Sequence, residues 1–91
     1  MTPKVSVIIP FYNVEKYIGR CLQSVVGQSF DDIEIICVDD CSPDDSLRIV
    51  QKYASFDKRV KIVSNPRNLR LGKAREAGFF AANGEYVTFV D

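Results

Sequence analysis

Apolar residues fall in two rhythms along this chain: four short stretches that are apolar nearly without interruption, and three longer ones with apolar positions at steps of three and four. Val5-Ser6-Val7-Ile8-Ile9 is β-branched and lies between Pro3 and Pro10, which predicts a buried first strand. Ile18, Cys21, Leu22, Val25 and Val26 then line one face of a helix, with Asn13 placed to cap it and Glu15 in its first turn. Asp31-Asp32 reverses the chain into a second strand, Ile33 to Val38. Ser42-Pro43-Asp44-Asp45 combines a serine N-cap, a proline at the first helical position and a carboxylate at the third. It predicts a helix to about Ser55 with Leu47, Val50, Tyr53 and Ala54 inward.

A short strand at Val60 to Val63 follows, then a polar stretch, Ser64 to Arg70. The third helix carries small residues at Ala74, Ala77, Gly78, Ala81 and Ala82, as close packing on a sheet requires. Asn83-Gly84 is expected to end it, with Gly84 in the left-handed position, before a last strand at Glu85 to Val90. The order β-α-β-α-β-α-β with short connections calls for parallel strands joined by helical crossovers. The predicted fold class is therefore α/β: a doubly wound, mostly parallel, Rossmann-like sheet of about four strands with three helices. No internal repeat or linker interrupts it, so residues 1–91 read as one structural unit.

Composition narrows the classes of function. With 46% hydrophobic and 26% charged residues, a packed core is expected. Twelve basic residues balance twelve acidic ones, so no overall field favours nucleic acid or an anionic membrane, and any phosphate recognition must be local. The apolar runs are far short of the ~20 residues that span a bilayer. The N-terminus has a single lysine and no signal-peptide pattern, which predicts a cytoplasmic protein. Three cysteines, Cys21, Cys37 and Cys41, without a CxxC pair or any histidine, point to reduced thiols rather than a zinc site.

In an open parallel sheet, ligands bind beyond the carboxyl ends of the strands. Four segments meet there: Pro10-Phe11-Tyr12-Asn13, Asp39-Asp40-Cys41-Ser42, the loop Asn65 to Gly72, and Asp91. Each has a structural reading beside the functional one. Paired acids before a helix serve its dipole. Because Ser42 and Asp45 already supply the cap, Asp39 and Asp40 are expected to stay free for a ligand. Tyr12 is either a half-buried turn residue or a platform for a planar base. Arg67, Arg70, Lys73 and Arg75 are either a solvated basic face or phosphate ligands. Asp91 ends the sequence at a strand terminus, as in a cut chain; the other reading is a small protein whose last strand completes the sheet.

These residues carry a resemblance. VSVIIPFYNVEKYIGRCLQSVVGQSF, IEIICVDDCSPDDS, the spaced Asn68, Gly72, Ala74, Arg75 and Gly78, and GEYVTFVD resemble, in order and spacing, the inverting family 2 glycosyltransferases of GT-A fold. The resemblance implies the N-terminal, nucleotide-sugar-binding part of such a domain, truncated at the start of its D-x-D motif. Pro10 and Tyr12 would line the base pocket, Asp40 would take a base N–H with Asp39 in support, and Glu15 would lie near the nucleotide. Arg75, with Arg70 beside it, would approach the base or phosphates. Asp91 would be the first residue of the D-x-D, whose later carboxylate binds Mg²⁺ or Mn²⁺.

The implied reaction moves a sugar from a nucleoside diphosphate, UDP above all, to a hydroxyl of a saccharide or lipid-linked acceptor with inversion. The catalytic base and acceptor site would lie past Asp91, leaving this stretch without catalytic residues of its own. The parent would work in the cytoplasm or on the inner face of the membrane. Three positions depart from the family pattern: Arg70 and Cys41 stand where glycine is usual, and Glu76 where asparagine is usual.

The alternative is a non-catalytic nucleotide-binding or signalling module. A phospho-acceptor receiver needs a further aspartate after the third strand, where this chain has Ser64-Asn65. A dinucleotide-binding domain needs a glycine-rich turn after the first, where it has Pro10-Phe11-Tyr12-Asn13.

Overall fold

The computed structural model of the chain describes residues 3–28 and 32–90. Asp91 lies outside them, as does Asp31 of the expected Asp31-Asp32 turn. The elements are β1 (Val5–Phe11), α1 (Ile18–Gln28), β2 (Ile33–Asp39), α2 (Ser46–Phe56), β3 (Val60–Ser64), α3 (Arg70–Ala81) and β4 (Tyr86–Phe89). The strands form one parallel sheet in the order β3-β2-β1-β4. Strand order reverses at β1, which pairs with β2 on one side and β4 on the other. That reversal is the switch point at which a doubly wound sheet opens a crevice.

Alternation along the buried strands divides the core. Val7, Ile9, Phe11, Ile33, Ile35 and Cys37 join Ile18, Leu22 and Val50 in the layer under α1 and α2. Ile8, Ile36 and Val38 form a smaller layer with Ala74 under α3. The period-2 pattern thus feeds two helical layers, which is why β1 and β2 are apolar on both faces. Pro10, with no N–H to give, lies beyond the last registered β1–β4 pair, Ile8↔Phe89.

Glycine sets how closely α3 approaches the sheet. A Cβ on Gly78 would collide with Ile8 Cγ2 and stand 3.1 Å from Val38 Cγ2. Gly84 departs from expectation: no glycine among the described residues has positive φ, and the helix leaves through an extended Ala82 (φ −75°, ψ 138°). Its requirement is space, since a Cβ there would lie 2.7 Å from both the backbone nitrogen and the Oγ of Ser6.

The two polar residues that interrupt the apolar strands, Ser6 and Glu34, are register partners inside the sheet. Ser6 Oγ donates to Glu34 Oε2 at 2.5 Å and accepts the Gly84 N–H at 2.8 Å. Glu34, 2% exposed, also accepts the Asn83 N–H and, at 2.8 Å, Lys61 Nζ. Burial alone would raise this carboxyl. The hydrogen bonds from Lys61, Ser6 and Asn83, together with the Lys61 charge, outweigh it and hold the group down at about 2. A buried anion thereby fastens the end of α3 to the middle of the sheet.

Both expected caps are displaced. α1 begins at Ile18, after a turn in which Tyr17 N and Ile18 N donate to the Val14 carbonyl, so Asn13 does not cap it. α2 begins at Ser46 behind Asp45, which makes no side-chain capping bond. Asp44 Oδ1 accepts the Ser46 N–H at 3.1 Å at the start of α2, while the Ser42 side chain and the other Asp44 oxygen reach across the fold. Ser42 Oγ accepts the Asn13 N–H at 3.1 Å, Asp44 Oδ2 accepts the Glu15 N–H at 3.1 Å, and Ser46 Oγ accepts the Val14 N–H at 2.8 Å. Residues that look like a local helix start hold the turn after β1.

Candidate functional site

The carboxyl ends of the first three strands are aligned by main-chain bonds. Asp40 N donates to the Phe11 carbonyl at 3.0 Å, and Asn65 N donates to the Asp39 carbonyl at 2.8 Å. Beyond them, on the α3 side of β1, opens a cleft of about 220 Å³ lined by Pro10, Tyr12, Asp40, Asn68, Arg70 and Ala74, with Phe11 and Leu71 completing the wall. Strand ends supply Pro10 and Asp40, the turn after β1 supplies Tyr12, and the first turn of α3 supplies Arg70 and Ala74.

Asp39 and Asp40 are each only 4% exposed, and neither is idle. Asp39 Oδ1 accepts the Ser42 N–H at 2.9 Å, which shapes the turn after β2. Asp40 Oδ1 accepts Asn65 Nδ2 at 3.0 Å and the Leu69 N–H at 2.8 Å, while Oδ2 accepts the Arg70 N–H at 2.9 Å. The expectation that both carboxylates remain free for a ligand is therefore corrected. A carboxylate offers about four lone-pair sites, so Asp40, which lines the cleft, retains acceptor capacity beside its three donors.

Among the described residues, three that are not glycine have positive φ: Asn13 (55°), Cys41 (65°) and Arg70 (76°). Two of them, Cys41 and Arg70, are the positions at which this sequence replaces a glycine of the pattern it resembles. The backbone conformation that favours glycine is kept there, although the side chain is not.

Of the residues singled out from the sequence, Pro10, Tyr12, Asp40 and Arg70 come together at the cleft, and Asp39 lies directly behind it. Arg75 does not line it; its guanidinium stands 5.6 Å from the centroid of the Phe89 ring, toward β4. Glu15 lines a separate polar depression with Asn13, Lys16, Tyr17 and Asp44. Asp91 lies outside the described residues. Asn65 and Asn68, named from the sequence only within the loop and its motif, were not singled out as site residues. Asn65 is buried and hydrogen-bonded to Asp40, and the signal for it was an asparagine before proline at a strand end.

A second cleft, also about 220 Å³, opens on the other face of β1 between Ile9, Val14, Tyr17, Ile18, Cys21 and Val90. It shares Pro10, Phe11 and Tyr12 with the first and has no charged group in its lining, whereas the first adds a carboxylate and a guanidinium. The first is the better candidate. Among the described residues no cluster of three or more His, Cys, Asp and Glu could hold a metal ion.

Comparison with known proteins decides the family. The family described as "Glycosyl transferase family 2" matches residues 6–91. The chain belongs to this family. It is 45% identical over 91 residues to a Bacillus subtilis (strain 168) protein named uncharacterized glycosyltransferase EpsJ, and covers all of this chain but 26% of that protein. Among solved structures it is similar to S. aureus TarS 1-349 in complex with UDP-GlcNAc, at TM-score 0.89 and 43% identity over 97% of this chain and 26% of that one. It is also similar to the mannosyltransferase PcManGT from Pyrobaculum calidifontis in complex with GDP-Man and Mn²⁺, at TM-score 0.86 and 26% identity over 98% of this chain and 28% of that one. The chain thus spans about a quarter of the length of these relatives. The parallel four-stranded sheet with three helices is the GT-A, Rossmann-like arrangement that the sequence predicts.

Proposed function

We propose that this chain forms the nucleotide-recognising part of a glycosyltransferase that moves a sugar from a nucleoside diphosphate to an acceptor hydroxyl with inversion. The observation that carries the reading is the cleft at the switch point, where Tyr12, Asp40 and Arg70 converge on one opening. Tyr12, 43% exposed, offers a ring face for a planar base, and Pro10 lines the same cleft. Asp40 has acceptor capacity left for a base N–H, which suits a uracil imide. Asp39 acts from behind by holding the turn after β2.

The family and the two ligand-bound neighbours, one with UDP-GlcNAc and one with GDP-Man, support a sugar-nucleotide donor, and the higher identity to the neighbour holding UDP-GlcNAc, 43% against 26%, favours UDP. The Mn²⁺ in PcManGT supports a divalent ion in the parent reaction, Mg²⁺ or Mn²⁺, with Asp91 as its contribution from this chain. The acceptor is read as a saccharide or lipid-linked hydroxyl. Its site and the catalytic base belong to the remainder of a parent acting in the cytoplasm or on the inner membrane face. No described helix is long and apolar enough to cross a membrane.

Calorimetric titration of the chain with UDP, beside Tyr12→Ala, tests the reading. Binding that weakens about tenfold in the variant supports it, since base–aromatic stacking is worth about 1–3 kcal/mol. Equal affinity of both for UDP, or none in the unaltered chain, would sink it.

A further inference from the structure

Tyr12 is bracketed by bonds to the turn after β2. The residue before it, Phe11, gives its carbonyl to the Asp40 N–H at 3.0 Å, and the residue after it, Asn13, donates its N–H to Ser42 Oγ at 3.1 Å. One anchor is thus Asp40 itself, and the other lies two residues further along the same turn. Ser42 is fixed in its own place, because its N–H donates to Asp39 Oδ1 at 2.9 Å. The next two amides after Asn13 are held in the same manner, Val14 N by Ser46 Oγ at 2.8 Å and Glu15 N by Asp44 Oδ2 at 3.1 Å. Successive N–H groups from Asn13 to Glu15 are all fastened by side chains of the segment that enters α2.

Burial does not call for all of these acceptors. The Asn13–Ser42 and Glu15–Asp44 bonds are exposed, where water satisfies an N–H as readily. Nor does Ser42 line the cleft. What its bond fixes is the path of the chain on leaving β1: Asn13 turns at φ 55°, in the left-handed region, and its N–H is tied at that bend. With Phe11 and Asn13 both tied to the turn that carries Asp40, the Tyr12 backbone is held at one separation from that carboxylate. A planar base that stacks on a ring and gives an N–H to a carboxylate needs one such separation, since a shift of about 1 Å trades one contact against the other. We propose that Ser42, with Asp44 beside it, is a positioning residue for nucleotide binding that acts through Tyr12. This inference rests on the nucleotide reading of the cleft and adds to it residues that touch no ligand.

A double-mutant cycle tests it: the unaltered chain, Ser42→Ala, Tyr12→Ala and the double variant, each titrated with UDP by NMR. Ser42→Ala should weaken UDP binding about threefold to tenfold, the scale of one hydrogen bond. The same change made where Tyr12 is already alanine should cost less than about twofold, because the residue it positions is gone. Ser42→Thr keeps the acceptor oxygen and should bind UDP within about twofold of the unaltered chain. Asp44→Ala frees the Glu15 N–H instead and should show the same dependence on Tyr12, which keeps the test decisive if Ser42→Ala melts before it can be titrated. An equal loss with and without the Tyr12 ring is what a merely structural serine gives, and it would overturn the positioning role. Unchanged UDP affinity in Ser42→Ala, or a Ser42→Thr as weak as Ser42→Ala, would overturn it too. Failure of the unaltered chain to bind UDP would instead sink the nucleotide reading, and this inference with it.

Discussion

Asp40 Oδ2 accepts the backbone N–H of Arg70 at 2.9 Å across thirty residues of sequence, so the carboxylate after the second strand sets where the third helix begins. With Asn65 and Leu69 on its other oxygen, Asp40 is the hub of the β3–α3 loop. Asp40→Asn replaces one acceptor oxygen with a donor facing donors. It should destabilise the chain by about 1–3 kcal/mol and expose the Leu69 and Arg70 amides to exchange. Amide hydrogen exchange by NMR checks this; unchanged protection at both amides would contradict it.

Glu34 makes a pH-dependent contribution whose sign follows from its partners. Its folded value, about 2, is below the ordinary 4.5, so the charged form is favoured by folding. The stabilisation is therefore present above pH ~4.5 and lost as pH falls toward about 2, amounting to about 3 kcal/mol when complete. Urea unfolding of the unaltered chain and Glu34→Gln from pH 7 to pH 2 should show a gap that closes in acid. A gap independent of pH would refute it.

Gly84→Ala should destabilise by about 2–3 kcal/mol, because the added methyl meets backbone in the central strand, at Ser6 N, rather than a side chain that can turn away. Chemical denaturation measures it. A loss below about 0.5 kcal/mol would mean that the strand yields more easily than its packing implies.

The thiols should differ in reactivity. Cys41 is exposed, Cys21 partly buried and Cys37 fully buried. Burial, with Cys21 adding to it, pushes the Cys37 thiol up to about 12. An aromatic disulfide reagent at pH 8 should modify Cys41 first and Cys37 only on unfolding. Early labelling of Cys37, read by mass spectrometry of peptides, would show that the β2 core opens.

The fold was legible because it rests on local pattern: nearly continuous apolar runs in Val5 to Ile9 and Ile33 to Val38, three-and-four spacing in Ile18 to Val26, and small residues along α3. What could not be read were bonds between distant segments. Ser42 satisfies the local rules for a helix cap, yet it and Asp44 hold the turn after β1, because the N–H groups of Asn13 and Glu15 lie beside them in space. Asp40 looked free for the same reason, since its donors come from Asn65, Leu69 and Arg70. Pattern matching favoured Arg75, whereas the direction in which α3 leaves the loop puts Arg70 on the cleft. Ser6 and Glu34 read as flaws in two strands until their register made them partners.

The central claim is that the cleft at the end of β1 and β2 receives a nucleoside diphosphate. Amide chemical-shift mapping of the isotope-labelled chain with UDP tests it most directly. The account predicts saturable shifts at Phe11, Tyr12, Asp40 and Asn68 to Leu71, with Tyr17 and Cys21 in the apolar cleft unmoved. Shifts centred on Tyr17 and Cys21, or none at millimolar UDP, would contradict it.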